Sequence, residues 1–358
     1  MTEPPEIRED LKDVEAYRAP QLEAAVRLNT NESPYPLPEG FARDLAEAVR
    51  RIPFNRYPDR EATALRKGLA EQAGHSVEGL WIANGSNEVI QHLCLAYGGS
   101  GRRAMTFEPT YGLHSLIPTV IGMEVVSARL EPDFVLSPEA AAAAVTRYRP
   151  QIAFLCSPNN PTGNAHLIAA VETLCETVDG LVIVDEAYAE FGGVSASLLL
   201  DRFRNLAIVR TFSKAFALAA ARIGYALADP AVVEELARVR LPYHLSSLTQ
   251  ATGEVALRYA DGAAEVLDRI RDERDRLIDA VGKIPSVEVF PSETNFVLFR
   301  TPADAATLWQ AILDRGVLVR DVSRAVGLER CLRVTAGLPE ETDAFLAALK
   351  ESLVEVSA

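Results

Sequence analysis

Asn205-Leu-Ala-Ile-Val-Arg-Thr-Phe-Ser-Lys-Ala-Phe-Ala-Leu-Ala-Ala-Ala-Arg-Ile-Gly-Tyr-Ala-Leu227 sets one lysine between two apolar runs. Twenty of these twenty-three side chains carry no charge, and the runs at about 206–211 and 222–227 have the length and content of buried strands. Lysine is scarce elsewhere, since only Lys12, Lys67, Lys214, Lys283 and Lys350 stand against thirty-one arginines. Apolar surroundings disfavour the ammonium form and lower its pKa, which makes an amine a nucleophile able to form a Schiff base with a carbonyl. A surface lysine whose stem lies over apolar neighbours fits the same window. The flanking sequence has to decide.

Working outward, further apolar runs at about 103–107, 124–128, 151–156 and 181–186 alternate with segments of helical period or with loops. That alternation predicts an α/β fold with a large, mainly parallel sheet covered on both faces. Helices are expected at Phe41–Ile52, near 61–73, at Val89–Tyr97 after the run Trp81-Ile-Ala-Asn84, and around Ala140–Ala144. After residue 261 the pattern changes to a charged helix, Ala263–Val281, and apolar runs at 286–290, 295–299, 317–319 and 331–335. This is the signature of a smaller α+β unit. Residues 1–38, rich in proline and charge, read as an extended arm rather than a packed element. The expected division is therefore an arm at 1–38, a large domain at 39–260 and a small domain at 261–358.

Composition narrows the function. With 36 basic against 50 acidic side chains the net charge is -14, which argues against nucleic-acid or anionic-membrane partners. An anionic small molecule then needs a local arginine site. Cys94, Cys156, Cys175 and Cys331 lack CxxC spacing and sit in apolar patterns, as buried thiols of a reducing compartment do. His75, His92, His114, His166 and His244 never fall at metal-ligand spacing, so no metal site is expected. The N-terminus has no apolar core of a signal peptide and no run is long enough to span a bilayer, so the expectation is a cytoplasmic protein.

Four other stretches carry chemistry. Gly85-Ser86-Asn87-Glu88 opens a helix and offers free N–H groups and a hydroxyl to an anion, or else a plain cap. Leu181-Val-Ile-Val-Asp-Glu-Ala-Tyr188 ends a buried run in Asp185, Glu186 and Tyr188, where a sheet of this kind binds ligands. A carboxylate there needs a cation or donor, and a protonated pyridine nitrogen serves, although Asp185 can also cap the following turn. Ser157-Pro-Asn-Asn-Pro-Thr-Gly163 projects amides from a rigid turn, and Tyr111 in Phe107-Glu-Pro-Thr-Tyr111 can stack on a flat ring or merely pack. An amine, a carboxylate for a pyridine nitrogen, an aromatic face, an amide for a phenolic oxygen and an anion site are together what pyridoxal 5'-phosphate requires.

At this point the chain is recognisable. Asn159-Asn-Pro-Thr-Gly163, Asp185-Glu-Ala-Tyr188 and Ser213-Lys-Ala-Phe216 with Arg222 resemble the fold-type I, aspartate-aminotransferase-like pyridoxal-phosphate enzymes. More closely, Leu28-Asn-Thr-Asn-Glu32, Arg56-Tyr-Pro-Asp59, Ala83-Asn-Gly-Ser-Asn-Glu88, Leu241-Pro-Tyr-His-Leu-Ser246 and Gly316-Val-Leu-Val-Arg-Asp321 resemble the histidinol-phosphate aminotransferases of the actinobacterial type. The resemblance runs from about Tyr17 to Phe345. It implies that Lys214 carries the cofactor, Asp185 holds the pyridine nitrogen, Tyr188 and Asn160 hold the ring oxygen, and Tyr111 stacks on the ring. It also implies that Ser86, Asn87, Thr211, Ser213 and Arg222 line the cofactor-phosphate region. Tyr57 would reach in from a neighbouring subunit of a homodimer with shared active sites. Tyr17, again from the partner, would bind substrate with Asn160, Arg320 and Arg333. Ala219, Ala220 and Ala221 stand where the family commonly has glycine, and Phe212 replaces a Leu or Met.

The implied activity is ping-pong transamination between histidinol phosphate and 2-oxoglutarate, yielding imidazole-acetol phosphate and glutamate in histidine biosynthesis. Two arginines suit a dianionic phosphate, whereas a carboxylate needs one fork. An aromatic amino-acid aminotransferase and a threonine-phosphate decarboxylase share the scaffold. A pyridoxal-phosphate-sensing effector module needs a DNA-binding domain ahead of it, for which the arm is too short and too poorly periodic.

Overall fold

The computed structural model describes residues 4–12, 14 and 22–356. A two-residue strand β1 (Val26–Arg27) and helices α1 (Phe41–Arg50) and α2 (Thr63–Ala73) come first. Strands and helices then alternate: β2 (Leu80–Asn84), α3 (Ser86–Tyr97), β3 (Arg103–Glu108), α4 (Leu113–Ile121), β4 (Glu124–Arg129), α5 (Pro138–Tyr148), β5 (Ile152–Cys156) and α6 (Ile168–Thr177). After them run β6 (Leu181–Asp185), β7 (Leu206–Thr211), β8 (Ile223–Ala228), α7 (Pro230–Leu236) and α8 (Ser247–Leu257). The remainder is α9 (Ala263–Gly282), β9 (Glu288–Val289), β10 (Phe296–Arg300), α10 (Ala305–Asp314), β11 (Val317–Leu318), β12 (Arg320–Asp321), β13 (Cys331–Thr335) and α11 (Pro339–Val356).

Seven strands form one sheet in the order β2-β8-β7-β6-β5-β3-β4. Its pairings are parallel from β7 through β4, while β8 runs antiparallel to both neighbours. The inner strands β5, β6 and β8 are buried at every position because both faces are covered. Val182, Val184, Leu206 and Ile208 pack into a cluster on one face, and Leu181, Ile183, Ala207 and Val209 into a cluster on the other. Each fully buried aliphatic side chain contributes about 1.5–3 kcal/mol, so this double covering fixes the sheet and its register.

The register has a direct consequence for function. Asn84 pairs with Ile223 and Thr211 with Gly224, so the carboxyl ends of β2 and β7 meet the start of β8. Loops leaving β2, β3, β5, β6 and β7 therefore converge at one edge, where open α/β sheets bind ligands.

The antiparallel sheet β12-β13-β10-β9 packs with α9, α10 and α11 around a separate cluster that includes Phe296, Phe299, Leu332 and Phe345. Leu28 and Tyr35 belong to that cluster too, which differs from the expectation of an unpacked arm. β1 pairs in parallel with β11, and the Leu28 carbonyl accepts the Thr335 N–H at 2.9 Å. The segment has no period of its own; its order comes from partners far along the chain. The expected strand at 286–290 shrinks to β9, and 317–319 to β11, since these edges pair over two residues only. All four cysteines are free and buried. Among the described residues no helix is long and apolar enough to cross a membrane, and no cluster of metal-ligating side chains occurs.

Candidate active site

Beyond the carboxyl ends of the strands lies a cavity of about 410 Å³. Its walls come from the loops after β2, β3, β5, β6 and β7, from β12 and β13, and from the segment 29–32 that passes between the two sheets. Lys214 projects into it from the loop after β7. Its Nζ donates to the Thr30 carbonyl at 2.9 Å and lies 5.9 Å from the centre of the Tyr188 ring. Enclosure, reinforced by the nearby Arg333 charge, pushes the amine down to about 7. A surface lysine has no such reason to shift.

Asp185 closes β6 and is buried. One carboxylate oxygen accepts the Ala187 N–H at 3.1 Å, which is the turn cap anticipated as an alternative. The other lies 2.9 Å from His114 Nε2 on α4, so the carboxylate that caps the turn is also held by a histidine at the cavity wall. The His114 ring stacks on Phe154 at 5.1 Å and meets the edge of Tyr111 at 5.4 Å. Tyr111 hydroxyl reaches Asn87 Oδ1 at 3.4 Å.

Opposite them the start of α3 meets Thr211, Ser213 and Arg222 on the cavity wall. Helix α3 starts at Ser86 with Gly85 as its cap residue, and no side chain caps its free N–H groups. Ser86 thus does not cap its own helix, which leaves those donors for a ligand. Gly85 holds φ 85° and ψ 164°, a region essentially reserved for glycine, and a Cβ there would meet Arg222 Nη2 at 2.5 Å. Arg222 Nη1 donates to Ser213 Oγ at 3.4 Å, and Thr211 Oγ1 lies 3.0 Å from the same hydroxyl. Ala219–Ala221 form one short 3-10 turn before Arg222, and Phe212 stacks on Phe216 at 4.3 Å behind the lysine.

At the far end Arg333 Nη1 donates to Asn160 Oδ1 at 2.5 Å, and Nη2 to the Asn29 carbonyl at 2.9 Å. Arg320 on β12 is the direct cross-strand partner of Arg333 on β13, so both side chains leave the same face of the small sheet. Tyr188 is buried, its hydroxyl oxygen accepting from Asn31 Nδ2 at 2.9 Å, and burial raises the phenol well above its ordinary range.

A family model described as aminotransferase class I and II matches residues 23–349. The chain belongs to this family. The aminotransferase is 48% identical to the histidinol-phosphate aminotransferase of Frankia casuarinae, over 97% of this chain and 90% of that protein. It is 47% identical to that of Thermobifida fusca, over 96% and 94%. Among solved structures, the histidinol-phosphate aminotransferase of Sinorhizobium meliloti in complex with pyridoxal-5'-phosphate superposes with a TM-score of 0.84 at 27% identity, covering 93% of this chain and 92% of that one.

The cavity of this aminotransferase fits pyridoxal phosphate on its own chemistry. A neutral-range amine, an acceptor carboxylate held by a histidine, and a glycine-bordered cradle of N–H groups, hydroxyls and a guanidinium surround one space. Of the residues anticipated from sequence, Ser86, Asn87, Tyr111, Asn160, Asp185, Tyr188, Thr211, Ser213, Lys214, Arg222, Arg320 and Arg333 all line it. Tyr57 does not line it from its own chain; it is 79% exposed and stacks on Tyr243 at 4.4 Å. Tyr17 lies outside the described residues. His114, Thr30 and Asn31 were not singled out as site residues from sequence. Only the Asn-rich turn around Leu28–Glu32 signalled the last two, and nothing local signalled His114.

Proposed function

We propose that this aminotransferase uses pyridoxal 5'-phosphate to exchange the amino group between histidinol phosphate and 2-oxoglutarate, producing imidazole-acetol phosphate and glutamate in a ping-pong cycle of histidine biosynthesis. The observation that carries the substrate is the cross-strand pair of Arg320 and Arg333 on the cavity wall. Like charges directly opposite one another are destabilising in a bare sheet, and a dianionic phosphate offsets both. A lone carboxylate matches only one fork, which disfavours an aromatic amino acid as the preferred substrate.

The bound cofactor supplies an electrophilic carbonyl and a ring that draws electron density away from the substrate Cα. The chain does the rest. Lys214 holds the cofactor and then carries the proton to and from Cα, a task suited to an amine poised near neutrality. Asp185, held by His114, keeps the pyridine nitrogen protonated, while Tyr188 and Asn160 hold the ring oxygen and Tyr111 covers the ring face. Ser86, Asn87, Thr211, Ser213 and Arg222 bind the cofactor phosphate, and Arg320, Arg333 and Asn160 bind substrate.

Tyr57 and Tyr17 complete the site of the opposite subunit in a homodimer. An exposed apolar set supports that assembly: Phe54 and Leu241 are 68% and 73% exposed beside the stacked Tyr57 and Tyr243. The division into an arm at 1–38, a large domain at 39–260 and a small domain at 261–358, and a cytoplasmic location, belong to the same proposal. A single-turnover titration of the cofactor-loaded protein tests it, with histidinol phosphate, histidinol, phenylalanine and threonine phosphate in parallel. Histidinol phosphate should bleach the cofactor absorbance at the lowest concentration; phenylalanine doing so first would make Arg333 a carboxylate clamp instead.

A further inference from the structure

Leu28-Asn-Thr-Asn-Glu32 has a feature that the roles above do not use. Asn31 is a buried non-glycine residue, 1% exposed, held at φ 54°. Its backbone is tied on both sides: the N–H donates to Thr335 Oγ1 at 3.1 Å, and the carbonyl accepts from Asn295 Nδ2 at 3.1 Å. Its side chain faces Tyr188, with Nδ2 donating to the phenol oxygen at 2.9 Å. In this orientation the other end of the amide, Oδ1, lies 3.2 Å from the Thr335 hydroxyl. The same hydroxyl also lies 2.9 Å from the Leu28 carbonyl, so its one proton is shared between that oxygen and Asn31 Oδ1.

A phenol has one proton to give. With an amide N–H on its oxygen, Tyr188 cannot turn that proton toward Asn31, and the cavity is the remaining direction. Resting on the role proposed for Tyr188, we infer that Asn31 is a positioning residue: it commits the Tyr188 proton to the ring oxygen of the cofactor and thereby sets the acidity of the bound cofactor. A donor on an oxygen anion holds down its proton affinity, so weakening that donor raises the pH at which the cofactor titrates.

The test is the pH dependence of the visible absorption of cofactor-loaded wild type, Tyr188→Phe, Asn31→Asp and Asn31→Gly. A carboxylate at position 31 takes the phenol proton for itself; glycine keeps the backbone at φ 54° and removes only the amide. Tyr188→Phe and Asn31→Asp should each raise the transition by about one pH unit, and Asn31→Gly by less. A merely structural asparagine would lower the melting temperature of the apoprotein and leave the transition where it is. The inference is overturned if both Asn31 variants titrate like wild type while Tyr188→Phe shifts. If Tyr188→Phe does not shift either, the proposed role of Tyr188 fails, and this inference with it.

Discussion

An amine held near pH 7 changes both chemistry and stability, and Lys214 is where this can be measured. Apoprotein takes up pyridoxal phosphate through the neutral amine, so the rate of reconstitution should rise about tenfold per pH unit below about 7 and level off above it. An amine at the ordinary 10.5 would keep accelerating far into the alkaline range. The sign for stability follows from the same shift. Between about 7 and 10.5 the unfolded chain binds the Lys214 proton and the fold does not, so apoprotein stability from this group increases with pH across that window. Lys214→Ala should remove that contribution, abolish transamination, and leave an apoprotein that melts no lower than wild type at pH 6. Arg320 is the other residue with a selective expectation. One charge-assisted fork is worth roughly 1.5–3 kcal/mol, so Arg320→Ala should lower kcat/KM for histidinol phosphate about 10- to 100-fold and for histidinol hardly at all. Equal losses with both would mean that Arg320 does not meet the phosphate.

At the scale of elements, the cradle depends on backbone that only glycine allows. Gly85 ends β2 and begins α3 in a conformation closed to side chains, and the Asn84–Ile223 register brings Arg222 against it. Gly85→Ala combines that strain, about 1–3 kcal/mol, with displacement of the guanidinium, so cofactor should dissociate at least about tenfold faster. Stopped-flow release of the cofactor to a trap decides it; an unchanged rate would separate Arg222 from phosphate binding. The strands that build this edge were legible because Leu181–Val184 of β6 and Leu206–Val209 of β7 are buried on both faces and read as apolar runs. So was the lysine between β7 and β8. β1 and β12 were not legible as strands, because two-residue strands carry no period and exist only through their partners, and β11 showed as an apolar run whose partner the run did not reveal. For the same reason His114 escaped notice: its bond to Asp185 joins residues 71 apart through the packing of α4 on the sheet. Arg333 stood out as the one charged residue of the apolar run 331–335, but the register that sets Arg320 opposite it appears only in the folded sheet.

For the whole molecule, the net charge of -14 and the cationic site are complementary facts. An acidic surface repels polyanions, while Lys214, Arg222, Arg320 and Arg333 concentrate positive potential inside one cavity, where a small phosphorylated molecule can reach it. The proposed two-fold dimer makes a quantitative statement about which subunit Tyr57 serves. If Tyr57 serves the opposite subunit, a Lys214→Ala chain and a Tyr57→Ala chain are defective at different sites. In a hybrid dimer of the two, one site carries both defects and the other carries neither. Random assembly of equal amounts makes about half of the dimers hybrid, each with one intact site of two, so activity should recover to about a quarter of wild type. If Tyr57 instead serves its own chain, every site in the mixture keeps one defect, and co-expression restores nothing beyond the sum of the parents. Differently tagged, doubly purified hybrids should carry about half of wild-type activity in the first case and no more than the parents in the second.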